Sequence, residues 1–402
     1  MVPVSSFLKS VLSLPNHPAF SCGIISSFRI TSCRSTFKQS PVRQQLFNMA
    51  STSNMNIAYP WAKSPIIAAA PMIKLAGPSL VAAVTKVGGI GFLAGGFDVT
   101  DLEKNIQETV DLISAEGRSI EHEDDVVPFG VGFINWGGDL ATILRAFEKF
   151  VPAAVWFFAP CQLSDLKTWT ERIREKTGGK TKVWIQIGSV SEAVCVAKES
   201  RPDVLVIQGA DAGGHGLRKS AGIISLLPEI RDALESAGMS DVPLIAAGGI
   251  VDGRGLAAAQ VLGASGVAMG TRFLAAKEST IAKGYQDEIL RSNDGGVNTV
   301  RSTVYDRVRG ILNWPEKYDG RGLINQSFWD AESGMSDDEN RKLYKEAIAA
   351  GDDGWGPQGR LTTYAGTGVG LITKVESAET IIKSVLQDAA EVIKQTAEGS
   401  QL

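Results

Sequence analysis

The chain carries three histidines, His17, His122 and His215. Only His215 stands where a titratable ring is set up for chemistry. It sits in Val204-Leu-Val-Ile-Gln208-Gly-Ala-Asp-Ala-Gly213-Gly214-His215-Gly216-Leu217. The run Val204–Ile207 reads as a strand buried on both faces, and the glycines after it read as a turn where backbone passes close to a ligand. An imidazole on such a turn suits proton abstraction or the holding of an anion, because its reference pKa of about 6.5 lies near working pH. His17 falls in an N-terminal leader and His122 among Glu121, Glu123, Asp124 and Asp125, so both read as solvated.

An anion-binding end is written further along. Leu244-Ile-Ala-Ala-Gly248-Gly249-Ile250-Val-Asp252-Gly253 and Gly266-Val-Ala-Met269-Gly270-Thr271-Arg272-Phe273 each run from an apolar strand into glycine. Glycines there leave backbone N–H groups unshielded, and a helix starting at the turn adds its positive end, so Gly248, Gly249 and Gly270 are phosphate-binding candidates. Thr271 and Arg272 add a hydroxyl and a guanidinium. Tight turns need glycine whatever they face, but two of them in succession favour a ligand. Ala69-Ala70-Pro71-Met72 ends an earlier apolar run, and Pro71, which lacks an N–H, stiffens the exit. Asn135, in Val131-Gly-Phe-Ile-Asn135-Trp136, and Gln208 stand at strand ends, where primary amides offer donor and acceptor together to a heterocycle.

These residues need a scaffold that gathers strand ends on one face. From Ile57 onward, apolar runs at Ile66–Ala70, Ile90–Ala94, Phe129–Ile134, Ala154–Ala159, Lys182–Ile187, Val204–Ile207, Leu244–Ala247 and Gly266–Met269 alternate with helical patterns. Each run is apolar throughout, which means burial on both faces, as in a parallel sheet clad in helices. Eight such units predict an α/β fold, a (β/α)8 TIM barrel over residues 56–277, where a phosphate site after the last two strands is frequent. An open doubly wound sheet is the alternative. Residues 278–355 break the rhythm with helical stretches (Thr280–Arg291, Ser336–Ala350) and aromatic turns at Trp314 and Trp329, and read as a helical insertion or cap. Residues 356–402 supply a C-terminal segment and a closing amphipathic helix, its stripe formed by Ile381, Ile382, Val385, Leu386, Ala389 and Ile393. Gly89-Ile-Gly91-Phe-Leu-Ala94 spells a dinucleotide fingerprint, but its glycines precede a strand instead of joining strand to helix, so it reads as a helix cap.

Composition removes other classes. A net charge of −4 gives no polycationic face, so nucleic acid is not an expected partner. No apolar run approaches transmembrane length, so neither is a membrane. The four cysteines are scattered, with no CxxC and no Cys/His pairing. No disulfide framework or metal site is therefore expected, and a reducing intracellular compartment fits. Residues 1–55 differ from the rest: no acidic residue precedes Asp98, while Ser, Lys and Arg recur. They read as a disordered or targeting leader, Arg- and Ser-rich in the manner of a mitochondrial transit peptide. The expected location is the soluble cytoplasm, with the mitochondrion as the alternative.

Taken in order, Ala70-Pro-Met72, Gly132-Phe-Ile-Asn135, Gln208-Gly-Ala-Asp-Ala-Gly-Gly-His215, Ala247-Gly-Gly-Ile250-Val-Asp-Gly253-Arg and Met269-Gly-Thr-Arg-Phe273 resemble the nitronate monooxygenase family (older name 2-nitropropane dioxygenase), FMN-binding TIM barrels. The likeness runs from about Ile57 to Thr373. It implies FMN, with its phosphate on Gly248, Gly249, Gly270 and Thr271 and its isoalloxazine near Ala70, Pro71 and Met72. Asn135, Gln208, Gly213 and Met269 would be further contacts, and His215 falls at the family's catalytic histidine. The implied reaction is oxidation of alkyl nitronates such as propionate 3-nitronate, and of nitroalkanes, by O2 to a carbonyl compound and nitrite through single-electron transfer. The family's usual glutamate in Gly-x-Glu-Ala-Gly-Gly-His is Asp211 here. NAD(P)H:quinone reductases and enoyl-acyl-carrier-protein reductases share the FMN barrel and the Gly-Gly-His turn and stand as alternatives, as does a flavin-binding protein without turnover. IMP-dehydrogenase-like barrels need a cysteine in the loop after strand six, and this loop has none.

Overall fold

The computed structural model describes residues 55–115 and 125–399; residues 1–54 of the leader, with His17, and His122 lie outside them. Strands β1 (Ile66–Ala69), β2 (Ile90–Gly96), β3 (Val126–Ile134), β4 (Val151–Phe158), β5 (Lys182–Ile187) and β6 (Val204–Gln208) run in parallel order. β7 (Gly214–Leu217) stands outside the barrel, and β8 (Leu244–Ala247) and β9 (Gly266–Met269) complete it. The pairing of β9 with β1, Ile66 opposite Gly266 through Ala69 opposite Met269, closes the ring and excludes an open sheet.

Continuous apolarity in the strands has the expected cause. Because side chains alternate across a strand, Ile66, Ala68, Phe92, Trp156, Trp184, Val206 and Ile245 point into the barrel. Ile67, Ala69, Leu93, Val155, Ile185, Leu205 and Ile207 pack outward beneath the helices. The interior is filled by rings: Phe92 lies 5.1 Å from Trp156 and 4.9 Å from Trp184, and the Trp184 indole donates to the Tyr59 hydroxyl at 2.6 Å. A filled interior leaves ligand space only at the barrel's ends. The fingerprint-like stretch is a helix end running into a strand, as expected: the Gly89 amide donates to the Val84 carbonyl at 2.9 Å at the close of helix Pro78–Lys86. Gly89 precedes β2, and a Cβ on Gly91 would stand 2.6 Å from the Val81 carbonyl of helix Pro78–Lys86.

Two expectations are corrected. The segment 278–355 holds helices Lys283–Arg291, Val304–Arg309, Gln326–Glu332 and Asp337–Ala349, but also strands β10 (Thr299–Ser302) and β11 (Tyr318–Leu323). It is a mixed insertion, not a helical one. The stretch read wholly as a glycine turn ends in β7, which pairs antiparallel with β11, itself paired with β10. A four-residue strand of Gly-His-Gly-Leu has no β-branched residue to announce it, and its partner lies a hundred residues on.

The closing helix spans Ala378–Gly399 and buries Ile381, Ile382, Val385 and Ala389; Ile393 is 40% exposed, so the stripe stops a turn early. It packs on helix Gly253–Val261 so closely that a Cβ on Gly253 would meet the Ala389 amide nitrogen at 2.3 Å. No described helix is long and apolar enough to cross a membrane.

Candidate active site

The C-terminal ends of the barrel strands meet at one mouth, and the turns leaving them line a cleft. Ala70 after β1, Gln208 ending β6, Gly213 beyond it, Gly248 and Gly249 after β8, and Gly270 and Thr271 after β9 all share its wall. Gly366 and Gly368 join them from the C-terminal segment. Gly248 and Gly249 turn at φ +114° and +73°, a region that glycine enters without strain. A Cβ on Gly248 would press on the Ala212 amide nitrogen at 3.0 Å, so space as well as angle favours glycine.

Four other expected residues stand around this cleft instead of in its wall. Pro71 packs over β3, where a Cβ on Gly132 would sit 2.3 Å from its ring. Met72 Sδ lies beside Gly270. Met269 sends its side chain into the layer between barrel and helices, and its carbonyl accepts from the Ala70 amide at 3.1 Å. Asn135 is buried; its Oδ1 accepts the Phe158 amide at 2.9 Å, while its Nδ2 is enclosed with no protein partner. Arg272, expected to face the anion end, turns away into a buried ion pair with Glu376 at 2.6 Å. Thr271 stays at the cleft, its hydroxyl accepting the Gly366 amide at 3.0 Å and keeping its own proton to donate.

His215 lies on β7 opposite Gly320 of β11. With no side chain, Gly320 makes room for the Tyr364 ring, which a Cβ there would meet at 2.6 Å. The imidazole is enclosed. Trp314 stacks on its face at 3.7 Å between centroids with the planes 6° apart, and Tyr364 stands 5.3 Å away. The Asp306 carboxylate meets Nε2 at 2.9 and 3.0 Å, the two side chains being 11% and 6% exposed. The Tyr364 hydroxyl donates to Asp306 Oδ1 at 3.1 Å, and Arg309 donates to the Tyr364 oxygen at 3.2 Å. Burial, with the Asp306 charge beside it, holds the Tyr364 hydroxyl well above its ordinary pKa, so it remains a donor. Gln208 Nε2 donates to the His215 carbonyl at 2.9 Å, tying the histidine's backbone to the cleft wall.

The loop between cleft and histidine is pinned from the insertion. Arg301 on β10 donates to the Ala212 carbonyl at 3.0 Å and the Asp319 carbonyl at 2.8 Å. Arg321 on β11 donates to the Ala210 carbonyl at 3.1 Å. Asp211 accepts the Thr367 hydroxyl at 3.0 Å, and a Cβ on Gly213 would strike the Ala365 carbonyl carbon at 2.4 Å. Three distant stretches therefore interlock at one place. Sequence reasoning missed Asp306, Tyr364, Arg301, Arg309 and Arg321, and marked Trp314 only as an aromatic turn; no spacing links these residues to His215.

A family model described as nitronate monooxygenase matches residues 164–388. The nitronate monooxygenase npaC of Metarhizium robertsii is 46% identical over 337 residues, which cover 83% of this chain and 93% of that protein. The chain belongs to the nitronate monooxygenase family. It is an oxidoreductase, and membership implies a flavin cofactor. A nitronate monooxygenase of Neurospora crassa is 36% identical over 363 residues, covering 86% of this chain and 94% of that one. Among solved structures, FabK from Thermotoga maritima matches with a TM-score of 0.64 at 26% identity, over 86% of this chain and 98% of its own.

Proposed function

We propose that this protein uses FMN to oxidise alkyl nitronates with O2, giving a carbonyl compound and nitrite, and that neutral nitroalkanes enter the same reaction once His215 has removed their α-proton. The observation that carries this reading is the placement of a glycine-walled cleft and an enclosed, carboxylate-paired histidine at one barrel mouth. FMN would rest its phosphate on Gly248, Gly249, Gly270 and Thr271. The cleft measures about 80 Å³, far below the roughly 300 Å³ or more of pockets that enclose a whole ligand. It therefore suits the phosphate end, and the ring belongs in the mouth toward Ala70, Pro71 and Met72. The enclosed Asn135 Nδ2, a donor without a partner, supports a polar group arriving beside it, since buried donors are rarely left unpaired. Gln208, with one amide hydrogen bond spent on His215, keeps Oε1 as an acceptor.

When bound, FMN supplies the electron chemistry between nitronate and oxygen. The chain supplies position and proton handling. His215 takes the α-proton of a neutral nitroalkane, a role worth about 10²- to 10⁴-fold in rate for a well-placed general base. Toward a nitronate that arrives as the anion, His215 holds charge and orientation instead. Trp314, packed against Trp136, Phe158 and Tyr318, covers the imidazole face and keeps water from it. A nicotinamide-dependent reductase on the same barrel is the competing reading; the 46% and 36% identities to nitronate monooxygenases favour nitronate chemistry over it. Oxygen uptake with matching nitrite release on propionate 3-nitronate is the expected result. Absence of both, with the flavin bound, would reject the proposal.

A further inference from the structure

We infer that the chain Arg309–Tyr364–Asp306 locks His215 in one tautomer, proton on Nε2 and lone pair on Nδ1, so that Asp306 orients the base and Nδ1 is the atom that takes the substrate's proton. This rests on the proposed nitroalkane chemistry for its kinetic consequence, but not for the tautomer itself.

The inference follows from counting donors and acceptors along the network. The Arg309 guanidinium can only donate, and it donates to the Tyr364 oxygen at 3.2 Å. Tyr364 has one proton, and it points onward to Asp306 Oδ1 at 3.1 Å. As a carboxylate, Asp306 can only accept, so the contacts of 2.9 and 3.0 Å to His215 require Nε2 to carry hydrogen. A neutral imidazole has a single N–H, which leaves the lone pair on Nδ1. Trp314 lies flat on the ring at 3.7 Å, so substrate meets the imidazole along its edge. In the proton step the substrate α-C–H bond breaks, its electron pair stays on the substrate as the nitronate, and the new N–H forms at Nδ1. The resulting imidazolium faces the Asp306 carboxylate through Nε2–H. A nitronate supplied ready-made needs no such step.

Asp306→Asn inverts the pattern. Tyr364 still donates, so it holds the amide oxygen and turns the amide NH2 toward His215; Nε2 must then accept and Nδ1 must carry the proton. Two readouts test this. First, long-range ¹⁵N–¹H correlation spectra, with His215 assigned by its loss in His215→Gln, should show neutral His215 as Nε2–H in the wild-type holoprotein and Nδ1–H in Asp306→Asn. Adding Tyr364→Phe frees the amide to turn, and the double variant should regain Nε2–H, a rescue that lost packing would not produce. Second, Asp306→Asn should lose about 10²-fold or more on neutral nitroethane, the scale of a general base, while falling far less on preformed ethyl nitronate. A wild-type spectrum with Nδ1–H, or the same tautomer in Asp306→Asn as in wild type, overturns the inference whether or not the variants are active. Equal losses on both substrates overturn the positioning role. A correct tautomer in a wild-type protein inert toward both substrates would reject the proposed function and leave the lock standing.

Discussion

At the scale of single residues the proposed proton chemistry rests on His215 and its partners. His215→Asn should keep bound flavin and lose about 10²- to 10⁴-fold on neutral nitroalkanes; unchanged turnover, measured by oxygen uptake, would remove the base. An imidazole on a glycine turn after a buried strand marks His215 in the sequence. Asp306 was not legible: an aspartate inside a short helix 91 residues away looks like any solvated acid. Arg272 shows the opposite error. Next to Thr271 in sequence, it has the same expected target, but successive helical side chains point about 100° apart. Thr271 therefore faces the cleft and Arg272 faces Glu376. Gly248 and Gly249 leave a mark in the sequence because their positive φ is a backbone requirement that glycine meets without strain.

At the scale of elements, the small sheet β10–β11–β7 joins the insertion to the site. The barrel strands were readable from their uninterrupted apolar runs, since burial on both faces dictates composition directly. β7 was not, because its glycines answer to neighbours: Gly216 lies where a Cβ would meet Gln208 Oε1 at 2.6 Å, and Gly214 stands opposite Arg321. The sheet's arginines carry a testable load. Arg301 is 10% exposed on its side chain and bonds both the loop carbonyl of Ala212 and Asp319. Arg301→Met should lower unfolding free energy by about 3 kcal/mol, the scale for breaking a buried pair, and reduce flavin retention; denaturant titration and flavin absorbance would register both. Gly213→Ala should likewise shed flavin, because its Cβ has no space against Ala365. Retention equal to wild type would mean the loop does not shape the cleft.

At the scale of the molecule, the fold is a closed barrel with a filled interior, so the mouth is where chemistry can occur. Fold class was legible because eight equivalent units repeat one physical pattern; the insertion was not, because its short strands β10 and β11 pair with each other and with the distant β7. A cofactor seated as proposed, across the ends of β1, β6, β8 and β9, would tie together strands from both ends of the barrel sequence. Removing it should therefore lower the melting temperature, and FMN at a thousandfold over its Kd should restore about 4 kcal/mol. The central claim, that this mouth oxidises nitronates, is tested most directly by anaerobic mixing of the holoprotein with propionate 3-nitronate, NADH or NADPH while following flavin absorbance. Rapid bleaching by the nitronate and none by either nicotinamide is the expected result. Bleaching by NADH or NADPH with no response to the nitronate would contradict it.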